Sequence, residues 1–134
     1  MVDQIMAATR FGLEYERLRI EAASHNIAVA NTPSAAGATS SLLAVSAPFS
    51  AHTHDASPTV GHPVLVERGA DERKVHDPSD PAADQSGMVS YPKVDLVGEM
   101  STLISAGSAY EANVRAFNAL RSMDLHALDI GGGA

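Results

Sequence analysis

Two long runs of apolar residues at helical spacing bracket this chain, and the stretch between them has no such period. Near the C-terminus, Leu96, Met100, Leu103, Gly107, Tyr110, Val114 and Phe117 alternate steps of four and three, which keeps one face of an α-helix apolar along its length. No proline interrupts Val94 to Ile130, so no backbone donor is lost and no ring collides with the preceding turn. The pattern predicts one helix from Lys93 to Ile130, about 55 Å long, that packs lengthwise. Gly98 and Gly107 weaken it by about 1 kcal/mol each relative to alanine. Past Phe117 the apolar positions move to Leu120, Met123, Ala127 and Ile130, so the stripe turns toward a different neighbour, and Gly131 to Gly133 end the helix.

Residues 3–31 predict a second helix, about 40 Å long. Met6, Leu13, Ile20 and Ile27 recur at heptad spacing, Ala23 and Ala30 fill the intermediate position, and Phe11, Tyr15 and Leu18 widen the face. The run stops at Asn31-Thr32-Pro33, where proline biases the residue before it away from helix. Residues 32–92 hold all seven prolines and four of the six histidines. Within them, Ser41 to Val45 and Pro63 to Glu67 read as short strands able to pair, and Met88 to Tyr91 as another extended piece. Pro33 to Ser40 and His52 to Gly61 read as flexible loops. Asp77-Pro78, Asp80-Pro81 and Ser86-Gly87 mark successive turns. The expected fold is mainly α with a small β insertion: two long terminal helices packed as an antiparallel coiled-coil hairpin, with an irregular β/loop segment between them. The expected divisions are a first helix in 1–32, the insertion in 33–92 and the last helix in 93–134, together one assembly domain.

Composition narrows what such a fold can do. Aromatics make up 4% of the 134 residues and tryptophan is absent, so alanine fills much of the core and little apolar area is buried per residue. That predicts a marginally stable monomer that needs partners to finish folding. The net charge of -7, with nine basic residues scattered along the chain, argues against nucleic-acid binding. Without cysteine there is no disulfide and no thiolate metal site. Asp3, Arg10 and Glu14 interrupt any signal-peptide core, and no run approaches the roughly 20 apolar residues of a membrane span.

Candidate chemistry is thin. The phosphate loop, the nucleophile elbow, the zincin helix and the dinucleotide glycine fingerprint are all missing, so neither enzymatic activity nor a cofactor is expected. His52, His54 and His62 can gather imidazoles on one side of a loop, but no cysteine or well-spaced carboxylate completes a tetrahedral set. Asp77, Asp80 and Asp84 with Gly87 lack the spacing and terminal glutamate of a calcium loop and suit turn formation instead. Asn26, Asn31, Asn113 and Asn118 are more informative. Each lies in or beside an apolar stripe, where a buried amide must find a partner and a single polar residue fixes register by rejecting slipped alignments. The alternative for each is that it faces solvent.

Ser24-His25-Asn26-Ile27-Ala28-Val29-Ala30-Asn31-Thr32 resembles the N-terminal motif of bacterial flagellar rod and hook proteins. Leu103 to Val114, followed by Asn118, Ser122-Met123 and Ala127 to Gly131, resembles the matching C-terminal motif. His76 to Asp84, with Gly87, Val89, Tyr91-Pro92 and Val94, is most similar to the proximal-rod members. The resemblance covers roughly half of the chain. It departs after Thr32-Pro33, where the family's glycine, aromatic and basic residues are replaced by Ser34-Ala35-Ala36-Gly37, with no basic residue before Arg68.

The resemblance implies a structural subunit of the flagellar basal-body rod, which crosses the periplasm and transmits motor torque. It implies export through the flagellar type III apparatus without a cleaved signal, and terminal helices poorly ordered before assembly. The implied partners are copies of the chain itself, other rod subunits, the export apparatus and the inner-membrane ring adaptor. The expected subunit interface comprises Leu13, Ile20, Asn26, Ile27, Ala30 and Asn31 on the first helix. On the last it comprises Leu96, Met100, Leu103, Tyr110, Glu111, Asn113, Val114, Phe117, Asn118, Met123 and Leu128. Tyr110 and Phe117 are the expected anchors, since buried aromatics dominate packed interfaces. Competing readings are a soluble helical adaptor or export chaperone and, more distantly, a metal-dependent enzyme using the histidine loop.

Overall fold

The computed structural model describes residues 2–35, 38–47 and 62–131. Two helices, α1 (Val2–Val29) and α2 (Leu96–Gly131), enclose four strands in sequence: β1 (Ser41–Ser46), β2 (Val64–Gly69), β3 (Glu72–His76) and β4 (Met88–Pro92). The architecture is therefore mainly α with a small β region between the helices. The loop expected at His52 to Gly61 lies outside the described residues.

Each helix is shorter than its apolar pattern at the end facing the β region. α1 stops at Val29, where the amide of Thr32 donates to the Val29 carbonyl at 2.9 Å, because Pro33 pushes Thr32 out of the helical region and the chain turns early. α2 begins at Leu96 and not at Lys93. The Lys93 amide donates to the Asp71 carbonyl at 2.8 Å, which keeps Lys93 on the β3–β4 ladder. Asp95 then caps the helix, its Oδ1 accepting from the Gly98 amide at 3.1 Å. A Cβ at position 98 would stand 2.6 Å from the Asp95 carboxylate, so the glycine that weakens the helix gives its cap room.

The strands form two antiparallel pairs, β1 with β2 and β3 with β4. Ser41 faces Gly69 and Ser46 faces Val64, while Glu72 faces Pro92 and His76 faces Met88. Hydrogen bonds from Lys93 to Asp71 and from Asp77 to Gly87 flank the second ladder, so Pro92, opposite Glu72, falls where β3 needs no N–H from it. Nothing in the sequence suggested β3. It reads Glu-Arg-Lys-Val-His, exposed throughout, and is a strand because β4 and the turns between them hold it. Asp77 accepts from Ser79, and Asp84 from Ser86 and Met88. Gly87 closes the second turn with a φ of 74°, a conformation that costs other residues roughly 1–2 kcal/mol. A bond from the Ser34 amide to the Ser90 carbonyl, 2.8 Å, ties the segment after α1 to β4.

The core is small and rich in alanine. Leu18, Ala22, Ala23 and Ala30 of α1, Leu42 of β1, Val89 of β4 and Ala106 of α2 are its buried apolar residues. Contacts descend α1 as they climb α2: Asn26 meets Glu99, Gly12 meets Asn113, and Met6 and Arg10 share a groove with Phe117 and Arg121. At Gly12 the absent Cβ matters, since one would stand 2.9 Å from the Asn113 side chain. Of α2, Glu99, Asn113 and Phe117 meet α1, with Ala106 buried and Leu103 half-buried on the same row; Leu103 and Phe117 belong to the predicted stripe, while Glu99, Ala106 and Asn113 stand where Met100, Gly107 and Val114 were expected. Leu96, Met100 and Tyr110 sit at its margin, 38%, 50% and 36% exposed, and a Cβ at Gly107 would meet open space. Small residues and the Asn26–Glu99 bond set the phase of this seam, and Leu96, Met100 and Tyr110 are left at its margin.

Candidate subunit interface

Among the described residues Asn26 is the most deeply buried polar side chain, 2% exposed at the meeting point of α1, β1 and α2. Its Oδ1 accepts from the Leu43 amide at 2.8 Å, and its Nδ2 donates to the Leu43 carbonyl at 2.9 Å. The side-chain amide thus takes the place of a neighbouring strand along the outer edge of β1. The same Nδ2 donates to Glu99 Oε1 at 2.9 Å. No described buried side-chain polar atom is left without a partner, as a low-dielectric site requires.

The other residues expected at an interface separate into three groups. Ala30 is buried and, like Asn26, is engaged within the chain. Leu13, Ile20, Ile27, Leu103, Asn113, Val114 and Phe117 are half-buried along or beside the α1–α2 seam. Asn31, Leu96, Met100, Tyr110, Glu111, Asn118, Met123 and Leu128 are exposed. Of the four asparagines, Asn26 and Asn113 thus lie at intramolecular contacts while Asn31 and Asn118 face outward. Sequence reasoning passed over Glu99, whose signal was only its place three residues after a short apolar pair. It also passed over Val97 and Ile104, which are 79% and 72% exposed. These two lie seven apart on the side of α2 away from α1, a second apolar row left uncovered among the described residues.

Two concavities accompany these surfaces. A polar cleft of about 290 Å³ is lined by Ser34, Thr39, Glu72, Lys74, Asp84 and Ser90, among others. A wider groove of about 550 Å³ lies between Met6, Ala7 and Arg10 of α1 and Phe117 and Arg121 of α2. Among the described residues no three histidine, aspartate or glutamate side chains converge on a common point; His52 and His54 lie outside them. His62 sits 3.4 Å from Glu14. Asp77 and Asp84 are held below the usual carboxylate range, chiefly by the hydroxyls of Ser79 and Ser86. No described helix is long and apolar enough to cross a membrane.

Comparison with known proteins relates this chain to flagellar components. Residues 85–130, which take in β4 and nearly all of α2, match the model of the C-terminal domain of the flagellar basal body rod FlgEFG proteins. The flagellar basal-body rod protein FlgC of Agrobacterium fabrum is 31% identical over 142 residues, spanning 96% of both chains. FlgC of Salmonella typhimurium is 42% identical over 67 residues, half of each chain, and that of Bacillus subtilis 45% identical over 67 residues, 50% of this chain and 45% of the relative. These last two alignments span about half the length of the relatives they match.

Proposed function

The chain belongs to the FlgC family of flagellar basal-body rod proteins, and from that premise we propose that it is a structural subunit of the proximal rod. The carrying observation is a pair of long terminal helices whose mutual contact leaves further large apolar residues uncovered, Val97, Met100, Ile104 and Leu128 among them. A helix pair with apolar rows on more than one side buries the remainder only against other helices. In this reading α1 and α2 pair as an antiparallel coiled-coil hairpin. Each hairpin wedges between its neighbours, and the summed contacts resist twist as the rod transmits torque.

Neighbours are met through Leu13, Ile20 and Ile27 of α1. On α2 they are met through Leu96, Met100, Tyr110, Glu111, Val114, Asn118, Met123 and Leu128. The role is mechanical and requires no catalytic group and no cofactor. The partners are further copies and other rod subunits, with the export apparatus and the inner-membrane ring adaptor at the base. The chain reaches the periplasm-spanning rod by type III export without a cleaved signal.

The test is mass spectrometry of purified hook-basal bodies from the source cell. The chain should be present in amounts comparable to known rod subunits. Its absence, with the protein expressed, would overturn the reading and favour a soluble adaptor. Tyr110→Ala removes an aromatic at the seam margin and should cost on the order of 2 kcal/mol of contact per subunit. A strain carrying only that variant should assemble fewer rods and swim poorly; unimpaired swimming would remove Tyr110 from the interface.

A further inference from the structure

The two helices end out of step. With Asn26 beside Glu99 and Gly12 beside Asn113, each step toward the N-terminus of α1 is a step toward the C-terminus of α2. By that register Val2, the first residue of α1, stands opposite Met123, and the turns from Asp124 to Gly131 project beyond it. Every residue from Arg121 to Ile130 is exposed, including Met123 at 68%, Leu125 at 55%, Leu128 at 65% and Ile130 at 85%. Asp124 and Asp129 flank Leu125 and Leu128 on adjacent helical rows. The last turn of α2 carries no basic residue, so the negative end of the helix dipole adds to the Asp129 carboxylate. His126 lies on a different row of the overhang.

The groove between Met6, Ala7, Arg10, Phe117 and Arg121 has the opposite character. Apolar Met6, Ala7 and Phe117 line it together with the cations Arg10 and Arg121. Arg17, Arg19 and Arg115 each have a carboxylate within ion-pair distance. Among the described residues neither Arg10 nor Arg121 does. A chain of net charge -7 repels its own copies over most of its surface, yet these two patches attract. One chain cannot join them, because its overhang leads away from its groove.

We propose that the overhanging end of α2 of one copy seats in the groove of a second copy, Leu128 and Leu125 against Met6 and Phe117, Asp124 and Asp129 toward Arg10 and Arg121. The contact is head-to-tail. Each copy offers both halves, so it repeats along a row without closing. This inference rests on the rod reading and gives that assembly one of its contacts between copies.

The absence of native cysteine makes a direct test available. Leu128 lies seven residues past Arg121 and eleven past Phe117, about 10 to 16 Å along the helix from the groove. A disulfide between Ala7→Cys and Leu128→Cys needs Cα atoms within about 7 Å, so within one chain it cannot form. Hook-basal bodies are purified from a strain whose only copy carries both substitutions, oxidised, and blotted after denaturation without reductant. The expected result is a ladder of dimer, trimer and higher species, with neither single variant linking and a mixture of the two giving dimers alone. A chain that incorporates and still runs as a monomer, or that links only to a different rod subunit, overturns the proposal. Arg10→Cys with Asp129→Cys is the second pair should the first fail to incorporate. If wild-type chain is absent from the basal bodies, the rod reading fails and this contact with it.

Discussion

Asn26 exchanges two bonds with the Leu43 backbone and gives a third to Glu99, so one buried amide fixes the helix pair and the β region relative to each other. Asn26→Ala strands the Leu43 amide and carbonyl along β1, and each buried group left without a partner costs about 1–3 kcal/mol. The expected loss is about 2–4 kcal/mol of unfolding free energy in urea titrations. Asn26→Asp should lose at least as much at neutral pH, because its carboxylate faces the Leu43 carbonyl and the Glu99 carboxylate. A change under 0.5 kcal/mol for Asn26→Ala would show that this amide is not the anchor. The sequence marked Asn26 as a residue that must find a partner, since an amide beside an apolar stripe is costly unless satisfied. It did not indicate that the partner would be a strand edge within the same chain, because Leu43 offers only backbone groups and these carry no sequence signature.

At the scale of elements, what could be read in advance follows from how local each cause is. The long helices were legible because their apolar period repeats over many turns. The pairing segments Ser41 to Val45 and Pro63 to Glu67 were legible from β-branched and aliphatic runs between prolines. β3 was not, because its five residues carry no alternation and owe their conformation to β4. Nor was the phase of the helix seam, since side chains as small as Ala106 and Gly12 decide it and the larger Met100 and Tyr110 do not. The β3–β4 turn offers a test of local bonding. Asp77 and Asp84 have pKa values lowered mainly by the hydroxyls of Ser79 and Ser86. Their stabilising contribution is therefore present above the ordinary value of 3.8 and is lost as pH falls through the lower folded values. The amide resonances of Ser79, Ser86 and Met88 should hold position down to that range and then titrate. Titration centred above the ordinary value would mean that the turn bonds do not form in solution.

For the molecule as a whole, the balance between ordering and burial sets its behaviour alone and in company. α1 has 28 residues and α2 has 36, together just under half of the 134 in the chain. Fixing a residue's backbone costs about 1–2 kcal/mol, and a core built largely from Ala22, Ala23, Ala30 and Ala106 returns little for each residue ordered. The deficit is greatest at the end of α2, where every residue from Arg121 to Ile130 is exposed and no face of the helix is covered. Dilute purified chain should therefore show helicity by circular dichroism below the fraction the two helices represent, with the missing signal arising from the end of α2. Raising the concentration until copies associate should restore it, because any partner that binds only the ordered helix shifts the equilibrium toward it. Hydrogen exchange locates the effect. Amides after Arg121 should exchange fastest in the monomer and gain the most protection on association, while those near Asn26 and Ala106 change least. Full helicity at micromolar concentration in a compact monomer or dimer, with the end of α2 already protected, would contradict this coupling of folding to assembly and would suit a self-sufficient adaptor instead.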